Sequence, residues 1–332
     1  MDAFTVSVIV PAYDSAKFIA RALDSVFAQT FPDYEVIIIN DGSPDTEELE
    51  IVLEPYRKRI VYLKQENGGP GKARNNGIRC AQGKYVAFLD SDDSMLPECL
   101  ETQLALFKKD HSLDLVYSDL LLKGDSQLSG KTFMETAPSM GEATFDAVLT
   151  EKCQIPTSAV MARKQALLDA GLFDESLFRA EDYDLWLRLA HLGKKIGYQR
   201  KILGIRWIHS AALSSIESKM LIAWMHVLKK LDRTLHLTDQ SRALLKATLM
   251  RACALHDLER GKLFLASGNT SGALASLKKA NEVLPNLKLR LVLLGLRYVP
   301  SLFIFLVRMR ALSRFLWKSS RRILLGSTLN LH

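Results

Sequence analysis

Acidic residues stop at Glu282. The last 50 residues contain none, yet they carry nine of the chain's 44 Lys and Arg. The formal charge of +7 therefore belongs to this tail, because positions 1–282 hold 35 basic and 37 acidic groups and stand at −2. A positive whole-chain balance says little about the main body, and nucleic acid is not expected as a partner. Cysteine is scarce too. Cys80, Cys99, Cys153 and Cys253 are scattered, with no C-x-x-C pair and no metal-ligand spacing. That argues against a disulfide scaffold and fits a reduced, cytoplasmic compartment. No run of 18 apolar residues occurs; the charge-free stretch 298–307 has ten residues and contains Pro300, too short to span a bilayer. No basic region precedes the first apolar run, so no secretory signal is expected. With 48% hydrophobic and 24% charged residues, the chain is neither mainly disordered nor collagen-like.

What is present is an alternation. Short β-branched runs at 6–10, 36–39, 60–63, 85–89 and 113–117 read as strands. Between them, 16–29, 46–59, 72–81 and 97–109 read as helices. Strands apolar on both faces, separated by helices, predict an α/β fold with a mostly parallel sheet flanked by helices. Right-handed crossovers would then put every strand's C-terminal end on one rim, where ligands of such sheets bind. Residues 123–150 read as an irregular surface excursion. A second block, 155–209, includes helices at 164–170 and 181–192. From Ser218 the pattern is all-helical, and 263–285 reads as a plain helical hairpin with a weak likeness to half a tetratricopeptide unit.

The polar residues that interrupt this pattern fall at strand ends. The first strand runs into Pro11-Ala12-Tyr13, the second into Asn40-Asp41-Gly42-Ser43, and the fourth into Asp90-Ser91-Asp92-Asp93. An Asp at a strand end is often only a cap or turn residue, as Asp41 or Asp45 alone would be. Three carboxylates within four residues repel one another unless something screens them, and a divalent ion completed by substrate phosphates would do so. A solvated acidic cap before the helix at Pro97 is the plain alternative. The stretch from Glu66 to Gly77 fails as a phosphate loop, since Ala73 stands where Ser or Thr would bind magnesium and Arg74 displaces the last glycine of G-x-G-x-x-G. A flexible turn remains, feeding a helix whose first turn carries Lys72 and Arg74 for an anion or a base. Glu181, Asp182 and Asp184 open a later helix, more acid than its dipole needs, and one of them can act as a general base.

In order and spacing these segments resemble the inverting family-2 glycosyltransferases with the GT-A fold, over about residues 5–215. The resemblance rests on residues 6–13, on 36–45 with Asn-Asp-Gly-Ser, on Ala73-Arg74-Asn75, on the Asp90–Asp93 run and on Glu181-Asp182. It implies a nucleotide-sugar pocket lined by Pro11, Tyr13, Asp41, Arg74 and Asp90, with Asp41 at the base edge and Asp90 by the ribose. Asp92 would hold Mg²⁺ or Mn²⁺ on the diphosphate, joined by His209 from the later Arg206-Trp207-Ile208-His209 segment. Asp182 would be the catalytic base and Glu181 would contact the acceptor. Two departures stand out: Asn40 replaces a common Asp, and Gly71-Lys72 replaces small residues before Ala-Arg-Asn.

The implied function is transfer of a sugar from a nucleotide diphosphate, with UDP first in line, to a glycan or lipid-linked hydroxyl in cell-surface polysaccharide synthesis. A sugar-phosphate nucleotidyltransferase would want a Gly-rich basic loop, and 11–17 holds one Lys and no Gly. A glycoside hydrolase has no use for a nucleotide rim. A non-catalytic nucleotide- or glycan-binding scaffold would be expected to have lost the acids kept here. The expected organisation is a catalytic domain at 1–217, a helical region at 218–282 and a basic apolar tail at 283–332. In 301–325, Arg310, Arg314, Lys318 and Arg321 share one helical face with apolar residues mainly opposite. This pattern suits contact with an anionic membrane at the inner face of the cytoplasmic membrane; a soluble helix with a solvated basic edge is the alternative.

Overall fold

A computed structural model describes residues 4–124, 126–209 and 217–299. The chain divides into two compact units after Ser215.

The first unit is built on one eight-stranded sheet. Its strands are β1 (Phe4–Ala12), β2 (Tyr34–Asp41), β3 (Val61–Gln65), β4 (Gly83–Phe88), β5 (Ser94–Met95), β6 (Leu113–Gly124), β7 (Val160–Arg163) and β8 (Lys195–Ile208), in the order β3-β2-β1-β4-β7-β6-β8-β5. The early alternation makes β1 parallel to both β2 and β4, and β2 parallel to β3. The sheet is mostly parallel, as expected, but its strands do not all end on one rim. β7 runs antiparallel to β4 and β6, and β5 antiparallel to β8. The reason is connectivity. The chain leaves β6 through the 125–159 excursion rather than through a helical crossover, so it re-enters the sheet reversed.

Helices α1 (Ala16–Phe27), α2 (Thr46–Leu53), α3 (Gly69–Cys80) and α4 (Cys99–Lys109) follow the first strands. α1 buries Ala16, Ile19, Ala22, Leu23 and Val26, the stripe its helical period dictates. The helix expected over 46–59 is shorter: α2 stops at Leu53 and a 3₁₀ turn spans Glu54–Arg59, because Pro55 has no N–H to continue the ladder. α3 lies unusually close to the sheet. A Cβ at Gly77 would stand 2.6 Å from Ile9 Cγ2 and 2.9 Å from Ile39 Cδ1, so only glycine lets the helix approach. The excursion is less irregular than expected, for it carries α5 (Phe133–Thr136), with a Thr132/Glu135 capping box, and α6 (Phe145–Leu149). α7 (Lys164–Asp169) and α8 (Glu181–His191) follow β7.

The second unit contains α9 (Glu217–Thr234), α10 (Asp239–Ser267), α11 (Thr270–Val283) and α12 (Leu287–Tyr298). Gly268, at φ +82°, closes α10 in the left-handed conformation, and the Asn269 side chain then caps α11 by accepting from the Gly272 N–H at 2.9 Å. This is the helical hairpin expected near 263–285. α12 packs into the same apolar cluster through Leu289, Val292 and Leu296, so the packing continues past residue 283. No helix among the described residues is long and apolar enough to cross a membrane. The amphipathic segment expected at 301–325 lies outside the described residues.

Candidate active site

β1, β2 and β4 run in the same direction side by side, so their C-terminal ends open onto a common rim. Pro11 pairs with Ile39 one step before the end of the ladder, and Tyr13, just beyond β1, is more than half exposed. Asn40, at the end of β2, is 2% exposed. Its amide donates to Thr46 Oγ1 at 3.0 Å and Tyr62 OH at 2.9 Å, and its Oδ1 accepts from the Ser43 N–H at 2.9 Å. Both hydroxyls spend their own protons elsewhere, on the Ser43 carbonyl and on Glu50. An Asp here would lack the two donors, so the departure at Asn40 shapes the 43–46 turn.

Asp41 is buried and ties the next loop down. Oδ1 accepts from Gln65 Nε2 at 2.7 Å and the Gly68 N–H at 2.8 Å; Oδ2 accepts from the Gly69 N–H at 2.8 Å. Gly42 (φ +61°) permits the close pass, since a Cβ there would meet the Asn67 nitrogen at 2.6 Å. Phe178, more than half exposed, packs its ring over Gly69.

The Ala73-Arg74-Asn75 motif is a connector. Asn75 donates to the Phe173 carbonyl and to Glu175 Oε1, both at 2.9 Å, and accepts from the Phe173 N–H at 2.9 Å. Arg74 reaches two carboxylates at once: Nη2 to Asp90 Oδ1 at 2.7 Å and Nη1 to Glu181 Oε1 at 2.6 Å. Its guanidinium is almost wholly enclosed, and although burial works against the charge, the two carboxylates raise its pKa above the usual value. Burial would also raise the Asp90 carboxyl, but Arg74 outweighs it and holds Asp90 below the ordinary carboxylate range.

The three acids of the Asp90–Asp93 run thus have three separate partners. Asp90 has Arg74. Asp93 is buried, accepts from the Trp207 N–H at 3.1 Å, and is pushed up to about 7 by burial and by Asp92 and Asp90. Asp92 Oδ2 lies 2.8 Å from His209 Nε2, so the two residues expected at a metal are brought together across 117 positions of sequence. The His209 ring stacks on Phe18 at 4.8 Å, and Arg21 donates to the Asp92 carbonyl at 2.8 Å while lying 4.0 Å over the Trp207 ring. His209 Nδ1 is buried without a hydrogen-bond partner among the described residues. One carboxylate and one imidazole form a donor set compatible with Mg²⁺ or Mn²⁺. Among the described residues no group of three or more His, Cys, Asp or Glu gathers around a point.

Three acids also open α8, and the structure separates them. Asp184 is fully buried and paired with Arg188 at 2.8 Å, a helix-internal bridge. Glu181 is buried against Arg74; burial first, then Asp182, push it up to about 7, with Arg74 opposing. Asp182 is partly exposed and makes no salt bridge among the described residues. Its Oδ2 accepts from Thr157 Oγ1 and its Oδ1 from the Tyr183 N–H, both at 2.7 Å. Ala180, the residue before Glu181, has φ +58°, a left-handed conformation that costs a non-glycine residue roughly 1–3 kcal/mol. Thr157 and Phe178 have no role in the sequence reading, and Trp207 enters it only as a neighbour of His209. A lone hydroxyl or ring carries no local signal of the partner it will meet.

The sequence profile of Glycosyl transferase family 2 matches residues 7–168. An uncharacterized glycosyltransferase of Rickettsia prowazekii (strain Madrid E) is 32% identical over 240 residues, 69% of this chain and 73% of that protein. The chondroitin synthase of Escherichia coli is 34% identical over 207 residues, 60% of this chain but 29% of that much longer protein. Among solved structures, S. aureus TarS 1-349 in complex with UDP-GlcNAc aligns with a TM-score of 0.62 at 23% identity, covering 93% of this chain and 92% of that one. The mannosyltransferase PcManGT from Pyrobaculum calidifontis, in complex with GDP-Man and Mn²⁺, aligns with a TM-score of 0.58 at 16% identity, covering 98% and 88%. These two structural likenesses concern the fold, which is that of the GT-A glycosyltransferases.

Proposed function

The chain belongs to glycosyl transferase family 2, and from that premise we propose that it moves a sugar from a nucleotide diphosphate, UDP first among the candidates, to an acceptor hydroxyl with inversion at the anomeric carbon. The observation that carries this reading is the bridge from Asp90 through Arg74 to Glu181, which couples a donor-side carboxylate to the helix start bearing Asp182. UDP-GlcNAc in TarS and the naming of the chondroitin synthase support a nucleotide-sugar donor and a glycan product.

In this reading Pro11, Tyr13 and Asp41 line the base pocket with Arg74 beside it, and Asp90 stands by the ribose. Asp182 takes the proton of the incoming hydroxyl, because a neutral hydroxyl is a poor nucleophile near neutral pH. Thr157 aims its carboxylate. Glu181, fixed by Arg74, contacts the acceptor. Asp92 and His209 would hold Mg²⁺ or Mn²⁺, as the Mn²⁺ complex of PcManGT encourages. When bound, such an ion supplies Lewis-acid stabilisation of the departing diphosphate. One base acting on the acceptor hydroxyl favours a single displacement, hence inversion. The acceptor belongs to a growing glycan or a lipid-linked chain in cell-surface polysaccharide synthesis, and residues 283–332 hold the protein at the cytoplasmic face of the membrane.

A panel of sugar nucleotides, read by nucleoside diphosphate release with and without a glycan acceptor, tests the reaction. Acceptor-dependent release from one donor is the expected result. Stable binding of every sugar nucleotide without release would leave a binding scaffold in its place.

A further inference from the structure

α12 has two apolar faces. Leu289, Val292 and Leu296 are buried and complete the cluster made with α10 and α11. On the other side Leu287, Leu291, Leu294 and Tyr298 follow one another at steps of four, three and four residues, which keeps them in a single row. They are 73%, 57%, 52% and 69% exposed. At about 100° per residue this row is centred roughly opposite the buried one. Lys288 falls on one flank of the row, and Arg290 and Arg297 on the other. The helix has no acidic residue, and neither does the rest of the chain after it.

We propose that this outward face of α12 is a docking surface for an anionic lipid bilayer, lying in the interface with its four large apolar side chains inserted and its flanking cations at the headgroups. The inference rests on the membrane-facing part of the proposed function and names the element responsible. Charge complementarity selects the occupant. Arg290 and Arg297, beside an exposed leucine row, match negatively charged headgroups. A second copy of the same face would set cations against cations. Length selects the mode. Twelve helical residues extend about 18 Å, well short of a hydrocarbon core of about 30 Å, so the helix lies in the plane rather than across it. Tyr298, at the end of the row, has the apolar body and polar tip that suit the interface.

The test uses the full chain and phosphatidylcholine vesicles with and without phosphatidylglycerol, read by co-sedimentation in the absence of sugar nucleotide. Wild type should bind the phosphatidylglycerol vesicles. Leu291→Glu/Leu294→Glu should lower the bound fraction at least about tenfold while leaving the melting temperature and turnover on a water-soluble acceptor unchanged. Leu291→Ser/Leu294→Ser gives the same reading should the charged pair fail to fold. Arg290→Gln/Arg297→Gln should weaken binding to phosphatidylglycerol vesicles and reduce its dependence on salt. Unchanged binding by the leucine variants would assign the contact to another segment and overturn the proposal. So would a wild type that ignores vesicles, or a wild-type dimer that the leucine variants convert to monomer. Loss of turnover with vesicle binding intact would count against the proposed reaction instead.

Discussion

Arg74 and Glu181 stand 107 positions apart in the chain and meet in a buried ion pair at 2.6 Å. Neither residue is paired by chance of exposure: both side chains are more than nine-tenths enclosed, and the second arm of the same guanidinium holds Asp90. A planar fork can serve two carboxylates in this way; an ammonium cannot match its geometry.

Arg74→Met should therefore leave two carboxylates facing each other without their cation. Removing one partner of a buried pair costs about 3–5 kcal/mol, and chemical denaturation should show a loss of that order. Arg74→Lys should recover part of the stability but little of the turnover. Equal turnover in Lys and wild-type enzymes would reduce Arg74 to a point charge and remove its two-armed role.

Glu181 makes stability depend on pH. Burial pushes its carboxyl up to about 7 in the folded chain, against 4.5 for an unperturbed Glu. The folded state thus holds a proton that the unfolded state releases earlier. This contribution is fully present below about 4.5 and is lost as pH rises through about 7. Glu181→Gln should flatten the fall of denaturation midpoints across that window. A variant whose midpoints fall as steeply as wild type would show that Glu181 does not hold the proton.

Asp182 and Thr157 should separate chemistry from binding. With Asp182→Asn the Thr157 bond can persist, yet the side chain no longer accepts a proton, so kcat should drop by about 10²–10⁴ while sugar-nucleotide affinity stays within about twofold. Thr157→Val should lower kcat by roughly tenfold, because a base held in place by one hydroxyl loses its aim. Calorimetric titration with the donor and steady-state rates supply both numbers. Near-normal turnover in Asp182→Asn would move the base to another residue.

The 2.8 Å contact between Asp92 and His209 should appear as metal dependence. Chelation should abolish turnover and added Mn²⁺ or Mg²⁺ should restore it. His209→Ala should raise the metal concentration needed for half-maximal activity by at least about tenfold. If chelator leaves the rate untouched, the pair is a hydrogen-bonded latch and the metal assignment falls.

Much of this arrangement was legible in the chain. β1, β2 and β4 are largely apolar on both faces and separated by helices, a pattern that points to parallel strands, and the polar residues at their ends mark the rim. What sequence hid was partnership. Local spacing suggested a cation to relieve Asp90, Asp92 and Asp93; it gave no sign that Arg74, His209 and the Trp207 N–H would also come to these acids, from up to 117 residues away. The reversed β7 was hidden for a related reason, since a four-residue strand carries no mark of its direction.

Asn40 is the position where departure from the family pattern can be turned into a measurement. Its side-chain amide supplies two protons, to Thr46 Oγ1 and Tyr62 OH, and each hydroxyl has already given its own away. Asn40→Asp places a carboxylate there that can accept but not donate, in a site only 2% exposed. Leaving buried polar groups unmatched costs about 1–3 kcal/mol each, so denaturation should report a loss within or above that range. The Ser43 N–H can still reach the carboxylate while Thr46 and Tyr62 lose their donor, so the 43–46 turn should loosen without opening and donor KM should shift by less than about threefold. A stable Asn40→Asp variant with altered preference among sugar nucleotides would instead make Asn40 a determinant of donor choice rather than of the turn.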